Sequence, residues 1–244
     1  MRILVTNDDG IYSPGIAALA TVAASFAEVC IVAPDVEMSS AAHAITASRP
    51  LSYKATPNLG SAYRVNGTPA DCVALGSHIW GGVDAVLSGV NLGSNLGNAM
   101  WHSGTLAGAK QACLLGMQGI ALSVPTSESE PDFGVYMPWI EKVLAQLLAA
   151  PEFRLVNVNF PAGEPRGIHW TRQSVRQYDG RVVPATDPMG RRHYWMTVAP
   201  LESAEEGTDR AAVESGYASM TPLRLDLTDH RALESALAGG GAQA

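Results

Sequence analysis

Apolar and polar positions along this chain switch between two periods. Short β-branched runs, read as buried strands, alternate with longer segments of helical composition. "ILVT" (3–6) is the first strand. Pro14 suits a first helical position, and "GIAALATVAASFA" (15–27) predicts a helix. "VCIVAPD" (29–35) is a second strand, and a loop of polar and small residues follows at 36–46. "PLSYKA" (50–55) and "AYRVNG" (62–67) alternate as a hairpin does. "TPADCVALGSHIW" (68–80) carries a helix start, with Thr68 as N-cap, Pro69 next and Asp71 in the first turn. "VDAVLSG" (83–89), "GIALSVP" (119–125) and "RLVNVNFP" (154–161) are further strands. Between them run a Gly/Asn-rich loop (90–104), a helix closed by Gly116 (105–116) and an amphipathic helix that carries Pro138 (134–150). This alternation implies a mostly parallel sheet covered by helices on both faces, a three-layer α/β fold.

Beyond about residue 162 the pattern changes. "GIHWTRQSVRQYDG" (167–180) and "RHYWMTV" (192–198) read as longer strands or arms, separated by a polar stretch with Pro184, Pro188 and Gly190. A short helix (209–216), a strand (217–223), a last helix (229–238) and a "GGGAQA" tail complete the chain. We therefore divide it into a core, 1–161, and an extension, 162–244, that packs on the core and carries arms suited to pairing with another subunit.

Composition narrows the function classes. Apolar residues make up 47% and charged residues 16% of the 244, enough for a large packed core. The net charge is -7, Lys is limited to Lys54, Lys110 and Lys142, and no basic stripe exists, which argues against a nucleic-acid duplex as partner. No segment approaches the ~20 apolar residues that span a bilayer, and Met1-Arg2 leads straight into a strand. Cys30, Cys72 and Cys113 lack C-x-x-C spacing and sit in apolar stretches, as thiols of a reducing cytoplasm do.

The chemistry concentrates in three polar loops that should leave the sheet at the carboxyl ends of its strands, where ligands bind in such folds. The first, Asn7-Asp8-Asp9-Gly10, sets two carboxylates side by side. A divalent cation with a preference for oxygen ligands would remove their repulsion; an Asx turn with a helix N-cap is the plainer reading. The second carries Ser39, Ser40 and His43. The third, "SGVNLGSNLG", brings Asn91, Asn95 and flexible glycines, and continues to Ser103, Gly104 and Thr105 at a helix start. Those last residues could aim backbone N–H groups at an anion or simply cap the helix. "NGTPAD" (66–71) is a similar start that reads as structural. Zinc spacing, G-x-x-x-x-G-K-[ST] and G-x-S-x-G are all absent.

Taken together, "ILVTNDDG", "VAPDVEMSSAAHAIT", "NGTPADCV", "SGVNLGSNLG", "HSGTLAGA", "TRQ" and "GYASMTPL" resemble, in order and over nearly the whole chain, the SurE family of stationary-phase survival proteins. The resemblance implies a Rossmann-like core with exchanged C-terminal arms in a homodimer or homotetramer. It implies metal-dependent phosphatase activity on nucleoside 5′- and 3′-monophosphates, with polyphosphate a further substrate. It matches Asp8, Asp9, Ser39 and Asn91 to the ligands of one divalent ion per subunit, Mg2+ or Mn2+, and Asn95, Ser103, Gly104 and Thr105 to the phosphate pocket. Ser40 offers a rival hydroxyl, and Ala41 and Ala42 stand where the family more often has Gly. Asp8 is the candidate base, with His102 behind it, and Trp101 the candidate for stacking on a nucleobase. The alternatives are an aspartyl-phosphate phosphatase of the haloacid-dehalogenase type, whose D-x-D is missing here, and a metal- and nucleotide-binding sensor without turnover. A receiver-type module would need a phosphoacceptor Asp after its third strand and a Lys after its fifth, and has neither.

Overall fold

In the computed structural model, which describes residues 1–57, 59–126, 130–175, 180–198 and 204–238, β1 (Arg2–Thr6) lies near the middle of a nine-stranded sheet. Its side chains alternate between two buried faces. Ile3 and Val5 meet a core shared with α1 (Pro14–Ala23) and α4 (Phe133–Leu148). Leu4 points the other way, into a core with Cys72 and Val73 of α2 (Pro69–Trp80) and Ala112 of α3 (Gly104–Leu114). Burial on both faces is why the strands read as unbroken apolar runs.

The sheet order is β3 (Tyr53–Ala55), β4 (Ala62–Val65), β2 (Glu28–Pro34), β1, β5 (Ala85–Leu92), β6 (Gln118–Val124), β7 (Leu155–Asn159), β11 (Ala218–Pro222), β8 (Ile168–Trp170). β4, β2, β1, β5, β6 and β7 run parallel. From β1 the chain first builds β2 and β4 on one side, then returns through α2 to lay β5 on the other. The switch point of this Rossmann-like order therefore falls between the carboxyl ends of β1 and β5.

Helix boundaries follow their caps. The α2 start is a full capping box: Asp71 N–H donates to Thr68 Oγ1 at 3.2 Å and Thr68 N–H to Asp71 Oδ2 at 2.9 Å. Ser103 caps α3, its Oγ accepting from Leu106 N at 3.0 Å. α4 continues through Pro138 and buries Tyr136, Ile140, Val143, Leu144 and Leu147 along one face.

Several boundaries differ from the sequence reading. α1 ends at Ala23, not at residue 27. β5 runs on through Val90, Asn91 and Leu92, which the glycines and asparagines made look like loop. Asn91 and Leu92 pair with Ser123 and Val124 of β6 past a break in register after Ser88. Among the described residues of the expected arm at 167–180, the short strand β8 pairs with β11 at the edge of the main sheet. The polar stretch after it forms β9 (Gly180–Thr186), the antiparallel partner of β10 (Arg192–Val198), so the arm is this hairpin. The prolines and glycine there mark its turn and edge, not a break between two arms. β11 and β8 lie beyond residue 162 yet extend the core sheet. α5 (Asp209–Glu214) precedes β11, and α6 (His230–Ala238) has no buried residue. Tyr178 and the "GGGAQA" tail lie outside the described residues.

Candidate active site

The turn after β1 separates two jobs that the sequence leaves merged. Asn7 makes the turn, its Nδ2 donating to Gly10 O at 3.0 Å, while Gly10 takes a φ of +95°. The N-cap of α1 is Ser13. Neither Asp8 nor Asp9 is needed for turn or cap, and both carboxylates face the switch point.

Asp8 is 4% exposed, and its Oδ1 accepts from Thr105 Oγ1 at 2.6 Å. Gly104 packs so closely that a Cβ there would lie 2.8 Å from Asp8 Oδ2. Asp8 thus sits against the positive end of α3. Burial raises its pKa, opposed by the side-chain and backbone bonds from Thr105. Asp9 Oδ2 accepts from Leu92 N at 3.2 Å. Its pKa is pushed up to about 6, first by burial and then by the charge of Asp8.

Asn91 stands one residue before Leu92, at the end of β5. Its Nδ2 donates to Gly93 O at 2.5 Å, which leaves Oδ1 as the end of the amide open to a cation. The second loop is tied over the same point: Met38 N donates to Asp8 O at 2.7 Å and Ala42 N to His102 O at 3.1 Å. A cavity of about 520 Å³ opens beside Asp9, lined also by Tyr12, Glu37, Ser39 and Leu92. Ser39, not Ser40, lines it. Trp101 lies apart, on the 3-10 turn Gly97–Trp101, with Lys110 Nζ 5.8 Å from its ring. His43 pairs its Nε2 with Gln111 Oε1 at 2.9 Å.

The structure therefore brings Asp8, Asp9, Ser39 and Asn91 to one end of the sheet. Asn95 and Thr105 come to the same place, but their side chains turn inward. Asn95 Nδ2 donates to Ser123 Oγ at 3.0 Å and to Thr105 Oγ1 at 3.4 Å. Its backbone N donates to Asn159 Oδ1 at 2.7 Å, and its O accepts from Asn157 Nδ2 at 2.8 Å. A buried chain of hydrogen bonds thus runs from β7 through Asn95 and Thr105 to Asp8. Ser103 Oγ accepts the α3 cap bond from Leu106 N and keeps its O–H as a donor.

Three groups of residues escaped the sequence reading. Asn157 and Asn159 were visible as asparagines at alternate positions of an apolar strand, "VNVN", a pattern that buries two amides and demands partners. Glu37 was hidden in a loop of ordinary polarity. Asp209, fully buried, lies far along the chain. Its carboxylate accepts from Gly97 N at 2.8 Å, Ser174 N at 3.0 Å and Arg210 N at 2.8 Å, and so fastens the Asn95 loop to the extension.

The donor set is all oxygen. Among the described residues no three His, Cys, Asp or Glu side chains gather at metal spacing, so a cation here needs the neutral oxygens of Asn91 and Ser39 as well as the two carboxylates. Such a mixture fits a hard divalent ion.

Fold and site together define a class: a Rossmann-like α/β protein with an acidic pair at the switch point, Asp8 buried and Asp9 half-buried on the wall of a polar pocket. Within it, the chain belongs to the SurE family. The Survival protein SurE family model matches residues 3–180. The 5′-nucleotidase SurE 1 of Thermus thermophilus is 48% identical over 241 residues, covering 96% of each chain. The 5′-nucleotidase SurE of Deinococcus radiodurans is 44% identical over 238 residues, 93% of this chain and 88% of its own length. The crystal structure of the SurE protein from Aquifex aeolicus superposes with a TM-score of 0.86 at 38% identity, over 98% of this chain and 100% of that one.

Proposed function

We propose that this chain is a 5′-nucleotidase, a metal-dependent phosphomonoesterase that hydrolyses nucleoside 5′-monophosphates to nucleoside and phosphate. We extend the reading to 3′-monophosphates and short polyphosphate, to one Mg2+ or Mn2+ per subunit, to action in the cytoplasm and to a homodimer or homotetramer. The carrying observation is the Asp8–Asp9 pair, with Asp8 buried against the amino end of α3 and Asp9 half-buried against the end of β5, which carries Asn91. When bound, the cation supplies charge neutralisation at the phosphoryl oxygens and a more acidic water.

The chain supplies the rest. Asp8, Asp9, Asn91 and Ser39 would hold the ion. Thr105 fixes the orientation of Asp8, the residue we assign to catalysis. The backbone N–H groups at the start of α3 favour an anion beside them. Asn95 acts by holding Thr105. Tyr12, 66% exposed on the cavity wall, is better placed than Trp101 to contact a nucleoside.

The test is phosphate release by EDTA-stripped protein from 5′-AMP, 3′-AMP and tripolyphosphate, with Mn2+ or Mg2+ restored. Release from 5′-AMP should require the cation and vanish in Asp8→Asn. Turnover indifferent to EDTA, or a hydroxylamine-sensitive phospho-enzyme, would overturn the reading and point to an aspartyl-phosphate route.

A further inference from the structure

Ser39 is the weakest donor of the proposed set, a neutral hydroxyl on an exposed loop. A serine hydroxyl can offer lone pairs to a cation only if its proton is directed elsewhere. Here the proton has a destination: Ser39 Oγ donates to Glu37 Oε1 at 2.7 Å. Both side chains line the cavity beside Asp9. The backbone between them is anchored by Met38 N on Asp8 O, so residues 37 and 39 project from a fixed point of the acidic turn. Ser40 and Ala42 take φ values of +60° and +50°, and this local path gives Ser39, and not its neighbour, the cavity wall.

We propose that Glu37 is a positioning residue for the cation site: it accepts the hydrogen bond donated by the Ser39 hydroxyl and so turns the oxygen of Ser39 toward the carboxylate pair. The inference rests on the metal-dependent reading above. Glu37 does for Ser39 what Thr105 does for Asp8, since both outer partners fix the orientation of an oxygen donor. A carboxylate suits the task because it is acceptor-only and cannot compete as a donor.

The experiment measures Mn2+ binding to EDTA-stripped full-length protein, by calorimetry and by the electron paramagnetic resonance signal of free Mn2+. The proteins are wild type, Glu37→Ala, Glu37→Gln, Ser39→Ala and the double variant Glu37→Ala/Ser39→Ala. Both residues are exposed, so thermal melts of the metal-free variants should match wild type. Glu37→Ala should weaken Mn2+ binding about 10–100-fold, the usual cost of losing an outer partner. Glu37→Gln keeps an acceptor oxygen and should bind closer to wild type than to Glu37→Ala. The double variant should bind no worse than Ser39→Ala alone, because Glu37 acts through Ser39. Unchanged affinity in Glu37→Ala overturns the proposal. So does a double variant whose loss is the product of the two single losses, or a Glu37→Gln as weak as Glu37→Ala, since either makes Glu37 act by its own charge or contact. A wild type that binds no Mn2+ would instead overturn the metal-dependent reading itself.

Discussion

Asp8 depends on a hydroxyl from another part of the chain. Thr105→Val keeps the volume but removes the donor, and should lower kcat about 10–100-fold, whereas Thr105→Ser should retain most activity; steady-state phosphate release measures both. Asp9 gives a pH signature. Its folded pKa of about 6 lies above its ordinary value of 3.8. The folded state therefore holds that proton more tightly than the unfolded chain. The stabilising contribution is full below pH 3.8 and is lost as the pH rises through 6. The melting temperature of metal-free protein should accordingly fall over that window relative to Asp9→Asn, and Mn2+ added at pH 7 should raise it by binding the folded state alone. Differential scanning calorimetry reads both effects. At this scale the sequence was informative where chemistry showed as an oddity. Two adjacent carboxylates need an explanation, whereas one glutamate in a polar loop does not, and so Glu37 passed unnoticed.

Elements were legible in proportion to their local signals. The Thr68 N-cap and Asp71 in the first turn could be read directly, and the structure joins them in a capping box. It also ties down the second loop, with Thr68 Oγ1 donating to Ala44 O at 2.7 Å and Thr46 N donating to Asp71 Oδ1 at 2.9 Å. Thr68→Ala should therefore cost about 1–2 kcal/mol in urea unfolding, with metal affinity largely kept. The end of β5 was misread because Asn and Gly signal loops locally, while pairing with β6 on the neighbouring edge keeps the strand going. Only tertiary context separates the two. The 3-10 turn after it is held from outside. Gly97 takes a φ of +55°, and a Cβ there would lie 2.9 Å from Ser174 O. Gly97→Ala and Asp209→Ala should each lower kcat and raise amide hydrogen exchange across residues 93–101, measured by mass spectrometry, because both loosen the loop that carries Asn95.

For the whole molecule, the alternating strands and helices foretold a parallel three-layer core, but not how the extension would use it. Hydrophobic periodicity reports that a strand is buried; it does not say which neighbour it joins. β8 and β11 therefore looked like parts of an appendage, and the structure sets them at the edge of the core sheet. The β9–β10 hairpin is different. Among the described residues it forms a sheet of two strands, and Tyr194, Trp195 and Met196 are each about two-thirds exposed. An isolated hairpin is marginal in water, and its exposed apolar side chains are what the homo-oligomer proposed above would cover. Sedimentation should give a mass at least twice the 25.6 kDa of one chain, and Trp195→Glu should shift the population toward monomer.

The Asp209 fastening has a consequence for synthesis. Translation delivers β1, β5 and α3 early, and amino-terminal segments begin to fold before the rest is made. Yet the peptide N–H of Gly97 has to wait for a carboxylate encoded more than a hundred codons later. A nascent polypeptide can therefore lay down its acidic pair before the loop beside it is fastened, because that bond cannot form until Asp209 has been added.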